Sequence, residues 1–185
     1  NLKFNLEVKF RARKKNNICF ASVHKFEYSK IIKIIKNLDH NLFDNIFIIP
    51  RHVQYSEKLR SMLDLDLNDK IYIHNKFGDT VDFFDQSKLV FMGGSLFNHG
   101  GQNPLEALSR GCYLLTGKHI GNFKKEYYDL DKLNLASIIE TSLEEISKKI
   151  NNLITTDIQN SETINNYFKK NTKEFLNMMD LINKC

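Results

Sequence analysis

The amino-acid sequence predicts a Rossmann-like α/β domain, a parallel sheet with helices on both faces. Three observations carry that expectation. Apolar runs of strand length alternate with longer stretches of helical period, the pattern of strands joined by crossover helices. All eight glycines, at 78, 93, 94, 100, 101, 111, 117 and 121, fall in one window. Hydrophobic residues make up 42% and charged residues 26% of the 185 positions, the balance of a globular domain able to bury a core without disulfide or metal staples.

The elements follow in order. Ile18 opens a strand over 18–22, and a helix over 28–38 comes next. The run Ile46-Phe47-Ile48-Ile49, ended by Pro50, fits a strand over 45–50 that is buried on both faces. A helix over 56–65 leads to a short strand over 71–74, then a brief helix over 81–86 and a buried strand over 89–92. A helix over 104–110, a strand over 113–116, a helix over 123–129 and a short strand over 136–140 complete the alternation. Leu143, Ile146, Ile150 and Leu153 recur three or four apart, which predicts an amphipathic helix over 143–154. In the tail, Ile164, Tyr167, Phe168, Phe175, Met178, Met179 and Ile182 share one broad helical face. The whole chain, 1–185, reads as a single domain with a helical tail over 159–185.

Composition excludes several classes. Cys19, Cys112 and Cys185 form no CxxC unit, so neither a zinc site nor a disulfide framework is expected, and a reduced, cytoplasmic setting is. No apolar run approaches the roughly 18–20 residues that a bilayer crossing needs, and no signal peptide is recognisable. The chain opens on Asn1-Leu2-Lys3-Phe4 without an initiator Met and reads as a piece of something longer. The formal charge is +5, with the densest basic run at Arg11-Ala12-Arg13-Lys14-Lys15. That run suits a solvated linker or a touch on anionic lipid. Nucleic acid is disfavoured, because the aromatics are mostly Phe inside apolar stretches rather than surface stacking platforms.

Glycine is needed where the backbone turns left-handed or must approach something closely. Glycines gathered after successive strands mark one sheet edge as a ligand platform, outside the carboxyl ends of the strands. Its centre is the string Gly93-Gly94-Ser95-Leu96-Phe97-Asn98-His99-Gly100-Gly101-Gln102-Asn103-Pro104-Leu105-Glu106. A buried strand ends at Met92, two glycines and Ser95 offer backbone N–H groups, and a helix starts with Asn103 as cap and Pro104 at its first position. Helix-terminal N–H groups suit phosphate. Glu106 admits two roles: closing an Asn-x-x-Glu capping box, or accepting hydrogen bonds from two ribose hydroxyls. No Gly-Lys-Ser/Thr P-loop is present, and Ser95 is not followed two positions on by the glycine of a nucleophile elbow. Cys112 fits a core position. His24, after the first strand, either contacts a transferred sugar or bonds across its loop. His52 suits an orienting role, and His99 and His119 lack metal-ligand company.

The string resembles the C-terminal domain of the Kdo transferases, GT-B enzymes that move 3-deoxy-D-manno-octulosonic acid (Kdo) from CMP-Kdo to lipid A precursor. The family's Gly-Gly-Ser, Gly-Gly pair and Asn-Pro-Leu-Glu are here Gly93–Ser95, Gly100-Gly101 and Asn103–Glu106. Asn1–Phe4, Ala21-Ser22-Val23-His24, Pro50-Arg51-His52, Gly78-Asp79-Thr80 and Asn122-Phe123 resemble other family landmarks in the same order. Where the family has Glu-Gly-Glu after the first strand, this chain has Lys25-Phe26-Glu27. The resemblance implies the C-terminal half of a GT-B enzyme, with the N-terminal acceptor domain outside this chain.

It implies, too, that Pro50 and Arg51 border cytidine and phosphate, and that Thr80, Val81 and Asp82 give backbone contacts to the base. Gly94, Ser95 and the turn Asn103-Pro104-Leu105 would hold the phosphate, and Glu106 the ribose. Ser22, His24 and Asn122 are candidate sugar contacts. The implied reaction is inverting transfer with CMP leaving and the base on the N-terminal domain, so this half would hold no catalytic residue. No metal or other cofactor is implied. The partners would be CMP-Kdo and, through the other domain, a lipid A precursor at the cytoplasmic face of the bacterial inner membrane, with peripheral contact to anionic lipid. The alternatives are a GT-B donor domain for a UDP-sugar and a non-catalytic nucleotide-binding or membrane-docking module.

Overall fold

The computed structural model describes residues 8–10, 15–63, 69–140, 142–158 and 160–182. The expected readings of Asn1–Phe4, of Arg11–Lys14, of Cys185 and of the end of the helix over 56–65 lie outside these residues. Six parallel strands form one sheet in the order β3-β2-β1-β4-β5-β6. They are β1 (Lys15–Val23), β2 (Ile46–Pro50), β3 (Ile71–Ile73), β4 (Ser87–Met92), β5 (Tyr113–Gly117) and β6 (Ala136–Ile139). This is the doubly wound order that the alternation of strand and helix predicts.

β1 lies at the centre because it can be buried on both faces. Ile18, Cys19, Phe20 and Ala21 are all fully buried, and alternate side chains point to opposite faces. Ile18 and Phe20 join the core beneath α1 (Tyr28–Lys36), α2 (Ser56–Met62) and α6 (Leu143–Thr155). Cys19 and Ala21 join the core beneath α3 (Thr80–Gln86), α4 (Leu105–Ser109), α5 (Lys124–Lys132) and α7 (Ser161–Ile182). The helix after β1 therefore covers one face and the helix after β4 the other. The chain ends of these adjacent strands diverge, and a crevice opens between them.

Observed elements track the expected ones closely, with differences at the boundaries. β1 starts earlier than residue 18, where Asn17 is buried and its amide donates to the Gln86 carbonyl (2.9 Å). α6 starts where Ser142 and Glu145 exchange capping-box hydrogen bonds, which satisfies two otherwise orphaned N–H groups. Its Ile146, Ile150 and Ile154 are buried on the sheet. In α7, Ile164, Tyr167 and Phe168 are buried as the apolar face requires; the expected continuation through Phe175, Met178, Met179 and Ile182 lies outside the described side chains.

If α6 is an integral cover of the sheet, Ile150→Ala should lower the unfolding free energy by about 2–5 kcal/mol, the range for emptying a fully buried site. Urea denaturation measures it, and a change near zero would mean that this helix packs loosely.

Candidate functional site

The loops after β1, β2, β3 and β4 gather at the carboxyl edge of the sheet. Their arrangement starts at the end of β1, where Ser22 takes a left-handed conformation (φ 54°) and the β1–β2 register shifts between Phe20 and Val23. The kink brings the Ser22 carbonyl against Gly93. A Cβ there would sit 2.4 Å from that oxygen, so only glycine lets the β4 loop lie against the β1 loop. The Gly93 N–H donates to the Ala21 carbonyl (2.8 Å). Ser22, a candidate sugar contact, thus shapes the crevice with its backbone.

The buried Glu27 carboxylate is the hub of the crevice. It is 0% exposed and accepts four backbone hydrogen bonds: from Gly94 (2.7 Å) and His24 (3.1 Å) on Oε2, and from Ser95 (3.1 Å) and Leu96 (3.0 Å) on Oε1. This corrects the expected use of Gly94 and Ser95, whose N–H groups are held by a carboxylate of the protein itself. The Ser95 hydroxyl is engaged as well, donating to Met92 O (2.7 Å) and accepting from Gly117 N (2.9 Å). Lys30 braces the same loop, donating to Leu96 O (3.0 Å) with its ammonium 3.8 Å from the Phe97 ring centroid.

At the turn into α4 the Asn103 side chain accepts from the Leu105 N–H (3.1 Å), the capping role expected of it, and the regular helix begins at Leu105, one residue later than expected. Pro104 and Leu105 are buried and serve the core. Glu106 is exposed, and its carboxylate makes no hydrogen bond or ion pair among the described residues. The capping box expected as one of its two roles is not formed.

Pro50 is the buried last residue of β2. Arg51 donates its N–H to Val23 O (2.8 Å), which pins the loop and leaves an exposed guanidinium at the edge. Thr80, Val81 and Asp82 form the first turn of α3, behind a left-handed Asp79 (φ 60°). The Asp82 N–H already donates to Asp79 O (3.0 Å), which removes it as a base contact and leaves Thr80 and Val81. His74 fixes this loop, its Nε2 lying 3.1 Å from Gly78 O and its ring 4.8 Å from Phe83. Asn122 ties the β5 loop to the β4 loop, donating to Gly100 O (2.9 Å) and His99 O (3.4 Å).

Three histidines from three different loops meet here. His24 lies 4.2 Å from His99 and 6.1 Å from His52 between ring centroids, stacks on Phe26 at 5.1 Å, and has Gln102 Nε2 3.1 Å from its Nε2. Burial holds its pKa below the ordinary imidazole value; the neighbouring His99 lowers it further, Glu27 opposes this, and His52 and Arg51 add to the lowering. Among the described residues, no group of three or more His, Cys, Asp or Glu side chains is arranged to hold a metal ion. No described helix is long and apolar enough to cross a membrane.

Sequence reasoning missed Glu27 as the organiser and the meeting of His52 and His99 with His24. A signal existed for the first. Glu27 stands three residues after His24, at capping-box spacing, and is the acidic residue of a loop that is otherwise basic.

This is an open, doubly wound parallel α/β fold whose strand-end loops gather a buried carboxylate and three histidines at one edge. In sequence the chain is similar to 3-deoxy-D-manno-octulosonic acid transferases. It is 37% identical over 113 residues to that of Rickettsia bellii, covering 51% of this chain and 26% of the relative. A probable mitochondrial one from Arabidopsis thaliana is 24% identical over 160 residues, 77% of this chain and 36% of the relative. The matched stretch thus spans roughly a quarter to a third of these relatives. No family model matches the chain. In fold it is similar to the C-terminal CMP-Kdo binding domain of WaaA from Acinetobacter baumannii, with TM-score 0.67 and 18% identity over 87% of this chain and 89% of that one. It is similar also to WaaG, a glycosyltransferase of lipopolysaccharide biosynthesis, with TM-score 0.54 and 14% identity over 88% of this chain and 43% of that one.

Glu27→Gln tests the hub. An amide has one acceptor oxygen, so two N–H donors lose their partner and face an NH₂ group. At about 1–3 kcal/mol per orphaned buried donor, the unfolding free energy should fall by about 2–6 kcal/mol. Hydrogen exchange at Gly94, Ser95 and Leu96 should accelerate, and wild-type stability with unchanged exchange would mean that the carboxylate does not hold this loop.

Proposed function

We propose that this chain is the donor-binding half of a glycosyltransferase that moves Kdo from CMP-Kdo to a lipid A precursor. The observation that carries the reading is a coincidence of place. The segments that resemble the Kdo transferases, around Pro50-Arg51, Gly78-Asp79-Thr80 and Gly93–Glu106, lie on three loops along one sheet edge at the topological switch point. Nucleotides bind open α/β sheets in that position.

In this reading Glu106 takes the ribose, since its carboxylate is exposed and not spent on a cap, and ionised carboxylates accept strongly from hydroxyls. Arg51 faces the phosphate with five N–H donors. Its work falls on the leaving group, where a positioned cation stabilises developing charge. Thr80 and Val81 lie against the base. The Gly94 and Ser95 amides, taken by Glu27, shape the floor and do not hold the phosphate.

The acceptor domain and the base belong to the rest of the protein, so this chain binds donor without turning it over. The transfer inverts the anomeric centre and needs no metal or cofactor. The acceptor is a lipid A precursor at the cytoplasmic face of the inner membrane, in lipopolysaccharide biosynthesis, with peripheral contact to anionic lipid.

Glu106→Gln with CMP and dCMP tests the central contact. Wild type should bind CMP more tightly than dCMP, which lacks the 2′-hydroxyl, and CMP more tightly than UMP. The variant should lose about 1–3 kcal/mol in CMP binding and most of the CMP-over-dCMP preference, with thermal stability unchanged. Calorimetry showing the preference intact would remove Glu106 from the ribose, and equal or tighter UMP binding would favour a UDP-sugar donor.

A further inference from the structure

The histidine cluster has a composition that the nucleotide contacts do not account for. His24, His52 and His99 come from the loops after β1, β2 and β4, and Arg51 and Lys25 stand on the same loops. Among the described residues the carboxylate beside His24 is that of Glu27, which already accepts four backbone N–H bonds. The imidazoles therefore meet at the switch-point crevice, and among the described residues the acidic group acting on His24 is Glu27, whose oxygens are already engaged. Directly beside them is an apolar wall. Phe26 is 45% and Phe97 37% exposed, their rings pack edge to face at 5.6 Å, and Phe26 also lies 5.3 Å from His99.

A wall that is half aromatic and half imidazole suits a ligand that is half apolar and half anionic. A phosphate is polar on every side and gains nothing from Phe26 and Phe97. A sugar acid presents ring C–H groups to the aromatics and a carboxylate to the imidazoles. We infer that His24, His52 and His99 together form the receptor for the carboxylate of the donor's sugar acid, and that they take up a proton as it binds. The inference rests on the donor reading above and adds the part of the donor that this cluster takes.

The sign of the proton coupling follows from geometry. His24 is 7% exposed and has His99, His52 and Arg51 around it as like-charge neighbours, opposed by Glu27, so without ligand His24 resists protonation. A carboxylate within reach reverses the balance, because an opposite charge favours the charged imidazole. Between the free and bound titration ranges the complex holds more protons than the free protein. Sugar-acid affinity then rises as pH falls.

Ring titrations by NMR on the isotope-labelled chain test this, using free Kdo and CMP separately as probes. With saturating Kdo, the His24 ring and at least one of His52 and His99 should titrate at higher pH than in the free protein. Kdo should bind at least about threefold more tightly at pH 6 than at pH 8. His24→Gln should abolish that pH dependence, and His99→Gln, at an exposed position, should weaken it without burden on the fold. Ring titrations unchanged by Kdo would overturn the inference, and so would a rise produced by CMP and not by Kdo, which would give the cluster to the phosphate. CMP binding with unresponsive imidazoles would sink this inference alone. Imidazoles that respond to Kdo in a chain that binds no CMP would sink the nucleotide reading alone.

Discussion

A single buried carboxylate organises the carboxyl edge of the sheet. Glu27 sits where β1 and β4 send their chains to opposite faces, and such a place leaves backbone N–H groups pointing into a gap. Four of them, from residues 67 to 69 positions away and from His24 nearby, converge on its two oxygens. An ionised group taken out of water needs that many partners, and a loop turning through Gly93 and Gly94 needs an anchor. Each requirement answers the other. Ser95, Lys30 and Gly93 then follow: the hydroxyl ties β4 to β5, the ammonium covers the loop, and the missing Cβ lets it close on β1.

That arrangement decides which groups remain for a ligand. Gly94, Ser95, Leu105 and Asp82 spend their N–H groups internally. The side chains that face outward on these loops include Arg51, Glu106, His52, His99, Phe26 and Phe97. A groove of about 580 Å³ lies elsewhere, between α5 and α7, lined among others by Lys125, Lys132, Tyr167 and Lys170. Its size does not make it the donor site.

Much of this was legible in the sequence. The strands could be placed because each is a short apolar run bounded by turn residues, and α6 because its isoleucines recur at helical spacing. Most of the glycine window falls in the loops at the carboxyl edge, with Gly111, ahead of β5, the exception. What resisted was contact between residues far apart in the chain. The spacing of His24 and Glu27 hints at a local cap, but not that the same carboxylate reaches Gly94–Leu96, so that cradle looked free for phosphate. The Asn103 cap forms with Leu105, but the Glu106 carboxylate makes no bond back to the Asn103 N–H among the described residues, so the box that its spacing suggested stays open. His52 and His99 looked unremarkable singly, and they become a site only where the switch point brings their loops beside His24.

The central claim is that donor chemistry belongs to the edge built on Glu27. Backbone amide shifts recorded during a CMP titration test it most directly. The account predicts the largest changes in the loops following β1 to β4, at residues such as His24, Arg51, Thr80 and Glu106, with α5 and α7 unmoved. Changes concentrated between α5 and α7, with those loops silent, would contradict it.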